Sequence, residues 1–237
     1  MPIIDLKNCH MYFEDGYAEA GAINLMAGYM AGTTSIVIDG VTGIVPAGAR
    51  VSIGSFDMYK VVSTVESSGN TTTLVITPGL QASVLDDAVV TIFGTFVEIR
   101  IGDGTLQWTE NKPREFKKDR GRLYQVRDAD EEPMDVSFQL MYEELTASDP
   151  GTDPPTPEDA LKQFGSAAEW VSTNPDLCAP FAINIRFEHD PPNCTTFDKE
   201  RVILPQFYYE KLDHDPKQGM ISCSGKCNAT QASITRV

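Results

Sequence analysis

The sequence predicts a mainly β fold with a single α-helix, and three observations support this prediction. Short runs of β-branched residues recur between positions 33 and 94, separated by turns that contain Gly and Pro. Apolar residues alternate with polar ones in segments such as 97–101 and 136–142, which is the period of a half-buried strand. One segment, which begins at Thr156, has the pattern of an amphipathic helix.

The first hundred residues divide into three parts. A strand is predicted at 5–13, and the stretch that follows is predicted to be mobile because small residues dilute its apolar pattern as far as Gly32. Residues 33–94 are predicted to form an inserted small antiparallel β-barrel or sandwich, since Gly and Pro supply the turns that such a domain needs. Its predicted strands are 35–39, 50–53, 59–65, 72–77 and 88–93.

Residues 95–148 are predicted to begin a different sheet. Val97, Ile99 and Ile101 share one face of a strand, and the Gly-Asp-Gly that follows predicts a hairpin over 96–109. The strand pattern returns at 135–142. The intervening loop, 110–132, is rich in charge and poor in core residues, and loops of this length inside a compact domain are usually functional.

The remaining chain is predicted to hold the helix and the last strands. A Pro-rich linker at 149–157 leads to Thr156, which suits the N-cap, and to Pro157, which suits the first helical position. Apolar residues at helical spacing then predict a helix that ends at 172–175; these are Leu161, Phe164, Ala168 and Val171. Strands are predicted at 181–188, 202–212, 220–224 and 229–236.

The composition excludes several classes of function. The chain has 19 basic and 34 acidic residues, a net charge of −15, so its whole surface should not bind nucleic acid. It has no run of eighteen apolar residues and no secretory signal, which predicts no membrane insertion and synthesis in a reducing cytoplasm. It has no Gly-x-Ser-x-Gly, phosphate-binding Gly loop or His-Glu-x-x-His motif, so the chain is interpreted as not an enzyme.

No cofactor or metal is predicted. Cys223 and Cys227 could hold zinc together with Cys178, Cys194 or His214, but the spacing matches no established zinc site, and buried structural thiols are the favoured interpretation. His189-Asp-Pro and His214-Asp-Pro are interpreted as turns rather than as catalytic bases or metal ligands.

The charged loop is the most informative feature. Seven of the nineteen basic residues lie between Lys112 and Arg127, and residues 128–132 then contain four acids. A nucleic-acid patch, a solvated hairpin tip and a self-complementary contact between copies of the chain are all compatible with this pattern, and the last is favoured. The predicted contact residues are Lys112, Arg114, Lys117, Lys118, Arg120, Arg122, Arg127, Asp128, Asp130, Glu131 and Glu132.

Several segments carry a resemblance to a known family. The string Asp-Arg-Gly-Arg-Leu-Tyr-Gln-Val-Arg at 119–127 and the segments 130–138, 204–207, 212–215 and 224–230 resemble tail tube proteins of long-tailed bacteriophages. The resemblance covers 1–30 and 95–237. It is interrupted by the 33–94 domain, which is itself similar to small β-domains of phage structural proteins.

The resemblance implies a tail-tube-type β-sandwich formed by 1–32 and 95–237, with one flanking helix, and an outward-facing decoration at 33–94. It also implies hexameric rings that stack into a tube, in which the loop 110–132 projects toward the neighbouring ring. The implied partners are other copies, a terminator, tape measure or sheath protein, and genomic DNA that passes through the lumen without specific binding. The implied location is the virion tail.

Two alternatives remain open at the level of sequence. The chain could be a tail adaptor or terminator, or it could be a receptor- or carbohydrate-binding module at the tail tip. A binding module would need exposed aromatic residues, and the candidates are Trp108, Trp170, Phe207, Tyr208 and Tyr209.

Overall fold

The computed structural model describes residues 9–54, 56–99, 105–141, 155–189 and 200–236. Among them the secondary structure is mainly β, with one short α-helix, which confirms the predicted fold class. The chain divides into two compact units. Glu14–Phe96 and Glu169–Ser172 form one, called here the barrel unit, and the other described residues form the second, called here the sheet unit.

The strands are named in chain order. They are β1 (Cys9–Glu14), β2 (Ala18–Ile23), β3 (Ser35–Asp39), β4 (Ile44–Val45), β5 (Arg50–Ile53), β6 (Phe56–Val61), β7 (Val65–Glu66), β8 (Thr71–Thr77), β9 (Val89–Phe93), β10 (Phe96–Ile99), β11 (Leu106–Thr109), β12 (Arg114–Asp119), β13 (Arg122–Asp128), β14 (Met134–Met141), β15 (Ile183–His189), β16 (Glu200–Asp215), β17 (Met220–Cys227) and β18 (Ser233–Arg236).

The barrel unit is built on a closed antiparallel barrel with the strand order β2-β3-β8-β6-β5-β9. Pairing of Ala18 with Phe93 and of Ala22 with Val89 closes the ring between its first and last strands. Alternate residues point inward; in β8 these are Thr72, Leu74 and Ile76, each at most 2 % exposed. The prediction of a small antiparallel barrel is therefore confirmed.

The barrel begins earlier in the chain than the predicted boundary at residue 33. β2 lies in the stretch predicted to be mobile, yet it pairs with both β3 and β9. Its small residues are needed because the backbones come close together: a Cβ on Gly21 would lie 2.3 Å from the carbonyl oxygen of Asp39. The feature that diluted the apolar pattern is thus what allows the strand to pack.

The sheet unit contains an eight-stranded sheet in the order β10-β1-β15-β16-β17-β14-β11, with β18 paired to the start of β16. Alternate residues of β14, from Met134 to Leu140, are buried. Three aromatic rings from different strands meet in this core. The centroid of Phe138 lies 5.4 Å from that of Phe13 and 5.6 Å from that of Phe207.

The hairpin predicted over 96–109 is wrong. β10 and β11 lie at opposite ends of the strand order, β10 beside β1 and β11 beside β14. Leu106 pairs with Phe138 and Trp108 with Val136. Alternation identified both strands correctly, but it carries no information about which strand is the neighbour.

The helix α1 spans Pro157–Lys162 and ends earlier than predicted. Thr156 caps it as expected: its hydroxyl accepts a hydrogen bond from the backbone N–H of Asp159, and the Asp159 carboxylate accepts one from the N–H of Thr156. Gln163 then takes a left-handed conformation with φ 53°, which stops the helix. Within the described ranges, none of the helical segments has the length and apolar character needed to cross a membrane.

Candidate assembly surface

The loop predicted at 110–132 contains a β-hairpin made of β12 and β13. Their pairing runs from Arg114 opposite Asp128 to Asp119 opposite Arg122, and in the described residues these two strands form a sheet of their own. The Ala129 N–H donates to the Pro113 carbonyl at 3.1 Å and closes the base of the hairpin. An isolated two-stranded hairpin is marginally stable in water, so contact with a partner would stabilise it.

The chain reverses direction in a two-residue turn at the tip of the hairpin. Arg120 has φ 48° and Gly121 has φ 82°, and positive φ at both central positions is the signature of a type I′ turn. The twist of this turn matches the twist of two antiparallel strands. Asp119-Arg-Gly-Arg122 is therefore a local sequence signal for the hairpin.

One face of the hairpin carries an exposed apolar strip formed by Phe116, Leu123 and Val126. Phe116 lies directly opposite Val126, and Leu123 lies opposite Lys118, on the same face as Phe116. A bulge between Lys117 and Lys118 brings Leu123 onto this face. The three side chains are 59 %, 66 % and 48 % exposed, which is unusual for neighbouring large apolar residues.

The hairpin carries positive charge on an acidic molecule. Arg114–Asp128 contains six basic and three acidic residues, a net charge of +3, whereas the whole chain carries −15. The Arg114 guanidinium lies 4.0 Å from the Asp128 carboxylate, an exposed pair that adds little stability. The basic groups are thus displayed to solvent together with the apolar strip.

The structure brings most of the predicted contact residues onto the hairpin. Lys112 precedes it, and Asp130, Glu131 and Glu132 follow its base; all eleven are exposed. The net charge of residues 129–132 is −3, equal and opposite to that of the hairpin. The sequence interpretation missed the apolar strip, because only the register of the two strands places Phe116, Leu123 and Val126 on one face.

The eight-stranded sheet supplies a second kind of surface. β10 and β11 end the strand order among the described residues. A strand at the end of a sheet presents backbone N–H and C=O groups that can pair with another chain. The six strands of the closed barrel present no such end strand, and the other short strands of the barrel unit, β4 and β7, are two residues each.

The cysteines and histidines considered as ligands lie in different surroundings, and Cys178 is exposed. Cys223 and Cys227 are buried on β17, and burial raises the pKa of each thiol to about 12. His214 lies near the end of β16, and a turn begins at Pro216, as predicted. His189 ends β15, but the residues after it and Cys194 lie outside the described residues.

The aromatic candidates for ligand recognition separate into buried and accessible ones. Trp170 and Phe207 are 4 % and 1 % exposed and belong to the interior. Tyr208 and Tyr209 instead line a groove of about 470 Å³ together with Phe181, Pro180, Leu161 and Lys162. The amide of Asn174 donates to the Tyr208 hydroxyl at 2.5 Å and orients that ring. Trp108 lies on β11 and is partly exposed.

Comparison with known proteins gives no further guide to this surface: no protein-family model, no curated protein and no solved structure matches the chain.

Proposed function

We propose that this chain is a structural virion protein that assembles with copies of itself into stacked, hexameric rings, forming the tail tube of a long-tailed bacteriophage. The observation that carries the proposal is the exposed hairpin β12–β13. The protein acts by assembly rather than catalysis, and its partners are other copies, neighbouring tail proteins and the DNA that passes through the lumen.

The hairpin supports contact between rings. It displays three large apolar side chains and six basic residues on a molecule whose remaining residues carry a net charge of −18. Burying the strip of Phe116, Leu123 and Val126 against another copy would remove apolar surface from water, and opposite charges would set the orientation. A hairpin that merely served as a solvated turn would gain nothing from this apolar strip.

The ends of the sheet support contact within a ring. Pairing of an end strand of one copy with an end strand of the next would continue the sheet around the ring through main-chain hydrogen bonds. The candidate strands are β10 and β11, which end the strand order among the described residues. The acidic balance of the chain fits a tube that must not bind DNA, because like charge keeps the genome from adhering to the wall.

The direct test is negative-stain microscopy of the purified protein over a series of protein and salt concentrations. The proposal predicts rings or hollow tubes of uniform width, with stacking weakened as the ionic strength rises. If the protein stays monomeric even after addition of a tail-tip initiator complex, the tube assignment is wrong.

The contact surface is tested by charge reversal. The double variant Lys117→Glu and Lys118→Glu should lose stacking while its melting temperature stays within a few degrees of wild type, because exposed charges contribute little to folding. A matched control is Lys211→Glu with Lys217→Glu, two exposed lysines that give the same change in net charge. If the hairpin variant polymerises as wild type does, the hairpin is not the contact surface.

The aromatic groove favours one alternative, a carbohydrate-binding module at the tail tip. Phe181, Tyr208 and Tyr209 could stack on sugar rings, as aromatic side chains commonly do in binding sites. Titration with host glycans, with Tyr209→Ala as the matched variant, tests this reading. Saturable binding that Tyr209→Ala abolishes would favour it over the tube. A tail adaptor or terminator would instead form single rings that do not stack.

A further inference from the structure

One end of the barrel carries an exposed apolar surface, called here the apolar tip. It consists of Leu25, Met26, Met30 and Leu85, which are 39 %, 94 %, 80 % and 78 % exposed. They lie on two loops, one after β2 and one before β9. Four such residues on neighbouring loops form a patch of the kind that marks an interaction site.

The two loops that carry the tip are held together by main-chain contacts. Tyr29 and Val84 exchange two backbone hydrogen bonds of 2.8 Å, and the Leu25 N–H donates to the Asp86 carboxylate at 2.9 Å. Gly28, at φ 65°, lies against the second loop; a Cβ there would be 2.3 Å from the Val84 carbonyl oxygen. The exposed side chains therefore stand on a fixed backbone.

The tip is acidic as well as apolar. Asp86 and Asp87 flank it, and no basic residue occurs in 24–34 or 78–88. The hydrogen bond from the Ile23 N–H to the Ala88 carbonyl places the tip beside the start of β9.

The basic residues of the barrel lie at its other end. Arg50 and Lys60 are the only two in Glu14–Phe96. They pair with each other across β5 and β6, and the Arg50 guanidinium lies 4.5 Å from the ring centroid of Phe93, at the far end of β9.

The hairpin β12–β13 has the complementary properties. It carries an exposed apolar strip, as the tip does, and its net charge of +3 is opposite in sign to the two carboxylates at the tip. Methionine side chains adapt to irregular partner surfaces, so Met26 and Met30 suit a strip built from an aromatic and two aliphatic residues. We propose that the apolar tip of one copy accepts the hairpin of the next copy, an inference that rests on the proposed self-assembly.

This contact joins two different surfaces, and every copy carries one of each. Such head-to-tail contacts do not end at a dimer but continue from copy to copy. The barrel would therefore take part in stacking rather than only decorate the outside. The same geometry makes the proposal testable, since each surface can be disabled on a separate copy.

The experiment uses two full-length variants and a control. Met26→Glu with Met30→Glu disables the tip, and Phe116→Glu with Leu123→Glu disables the hairpin; all four side chains are exposed, so folding should be retained. The control is Ile44→Glu with Leu177→Glu, which removes two apolar side chains that are 57 % and 101 % exposed elsewhere. Sedimentation velocity and microscopy record assembly of each variant and of a 1:1 mixture.

Each disabled variant alone should stack at least about tenfold more weakly than wild type, whereas the control should stack normally. If rings of each variant are assembled separately before mixing, the mixture should give paired rings and nothing longer, because a tip-disabled ring still offers a hairpin to an intact tip. If the tip variant stacks like wild type while the hairpin variant does not, the hairpin has another partner, and this inference fails while the proposed function stands. If wild type does not assemble either, the proposed function fails. Loss of stacking in the control would also overturn the inference, as a general effect of charge.

Discussion

Asp15 is a carboxyl buried in the barrel unit, where a charge is costly. Its side chain is a hydrogen-bond acceptor for the Tyr17 N–H and the Thr95 hydroxyl, both at 3.1 Å, and the residue is 7 % exposed. Desolvation by burial raises the pKa of this carboxyl to about 7, and the hydrogen bonds from Tyr17 and Thr95 oppose that rise only in part. Gly94 leaves space for the Asp15 carboxyl group, because a Cβ at position 94 would lie 1.2 Å from one of its oxygens.

The raised pKa predicts a pH-dependent stability. Between about pH 4 and pH 7 the folded state holds a proton on Asp15 that the unfolded state has released, so this residue's contribution to the free energy of unfolding falls as the pH rises. Asp15→Asn should remove this pH dependence. Between pH 4 and pH 7.5, the free energy of unfolding of the variant minus that of wild type should therefore increase by on the order of 3 kcal/mol. Urea unfolding at both pH values measures the difference. Asp213→Asn, which changes an exposed carboxyl, controls for the lost charge. If Asp15→Asn differs from wild type by the same free energy of unfolding at both pH values, the prediction is wrong.

At the scale of the element, the hairpin depends on its turn. Gly121 sits at φ 82°, a conformation that a β-branched residue adopts only with strain, and no tertiary core compensates in β12–β13 among the described residues. The turn is thus the main local determinant of the hairpin, which carries both the basic residues and the apolar strip.

Gly121→Val should therefore unfold the hairpin without unfolding the protein. A cost of about 1–2 kcal/mol should speed amide hydrogen exchange in β12 and β13 by about tenfold and weaken stacking, while the melting temperature changes little. Gly219→Val is the matched control, since Gly219 also has positive φ, 66°, in the turn between β16 and β17. Unchanged exchange in the hairpin of Gly121→Val would show that the turn does not determine it.

Local pattern predicted the elements better than their partners. Ser35–Asp39 and Arg50–Ile53 have the predicted bounds, because alternation of apolar residues directly reports a half-buried strand. Pairing of β10 with β1 and of β11 with β14 depends on contacts between distant segments, which periodicity does not encode. The helix ended early for a similar reason: a left-handed Gln163 overrides the apolar spacing that continues to Val171.

For the candidate site on the hairpin, the sequence predicted the cluster of basic residues but not the apolar strip. Seven basic residues in one loop are visible in the sequence. The pairing of Phe116 with Val126 is not, nor is the register shift between Lys117 and Lys118 that brings Leu123 to the same face. The apolar tip was missed because Met26 and Met30 are far from Leu85 in the sequence, and the pairing of Tyr29 with Val84 is what brings their two loops together.

At the scale of the whole molecule, the stretch of chain that holds the six barrel strands begins and ends at residues that lie side by side. The Asp15 N–H donates to the Thr95 carbonyl at 3.2 Å, so a short turn could connect these residues directly. Trp170 belongs to the barrel unit and is 4 % exposed. Because β2 is part of the barrel, an excision must span residues 16–94 rather than 33–94.

Replacing residues 16–94 by Asn-Gly, with Trp170→Gln to avoid a bare apolar side chain, should leave a folded chain that forms rings but does not stack them. The reason is that the proposed assembly uses the end strands of the sheet unit for ring contacts, and the hairpin and the barrel for stacking contacts. Circular dichroism reports folding and microscopy reports rings. A folded variant that forms no rings would place the barrel in the ring wall instead.

Closure of the barrel affects which strands could pair between copies of the chain. When many copies of a chain lie close together, an unpaired strand at the end of a sheet can pair with a strand of another copy, and such pairing leads to aggregation. The six barrel strands pair with one another in a closed order, so none of them is the last strand of a sheet. In the assembly proposed above, these six strands would therefore contact neighbouring copies through side chains rather than by extending a sheet.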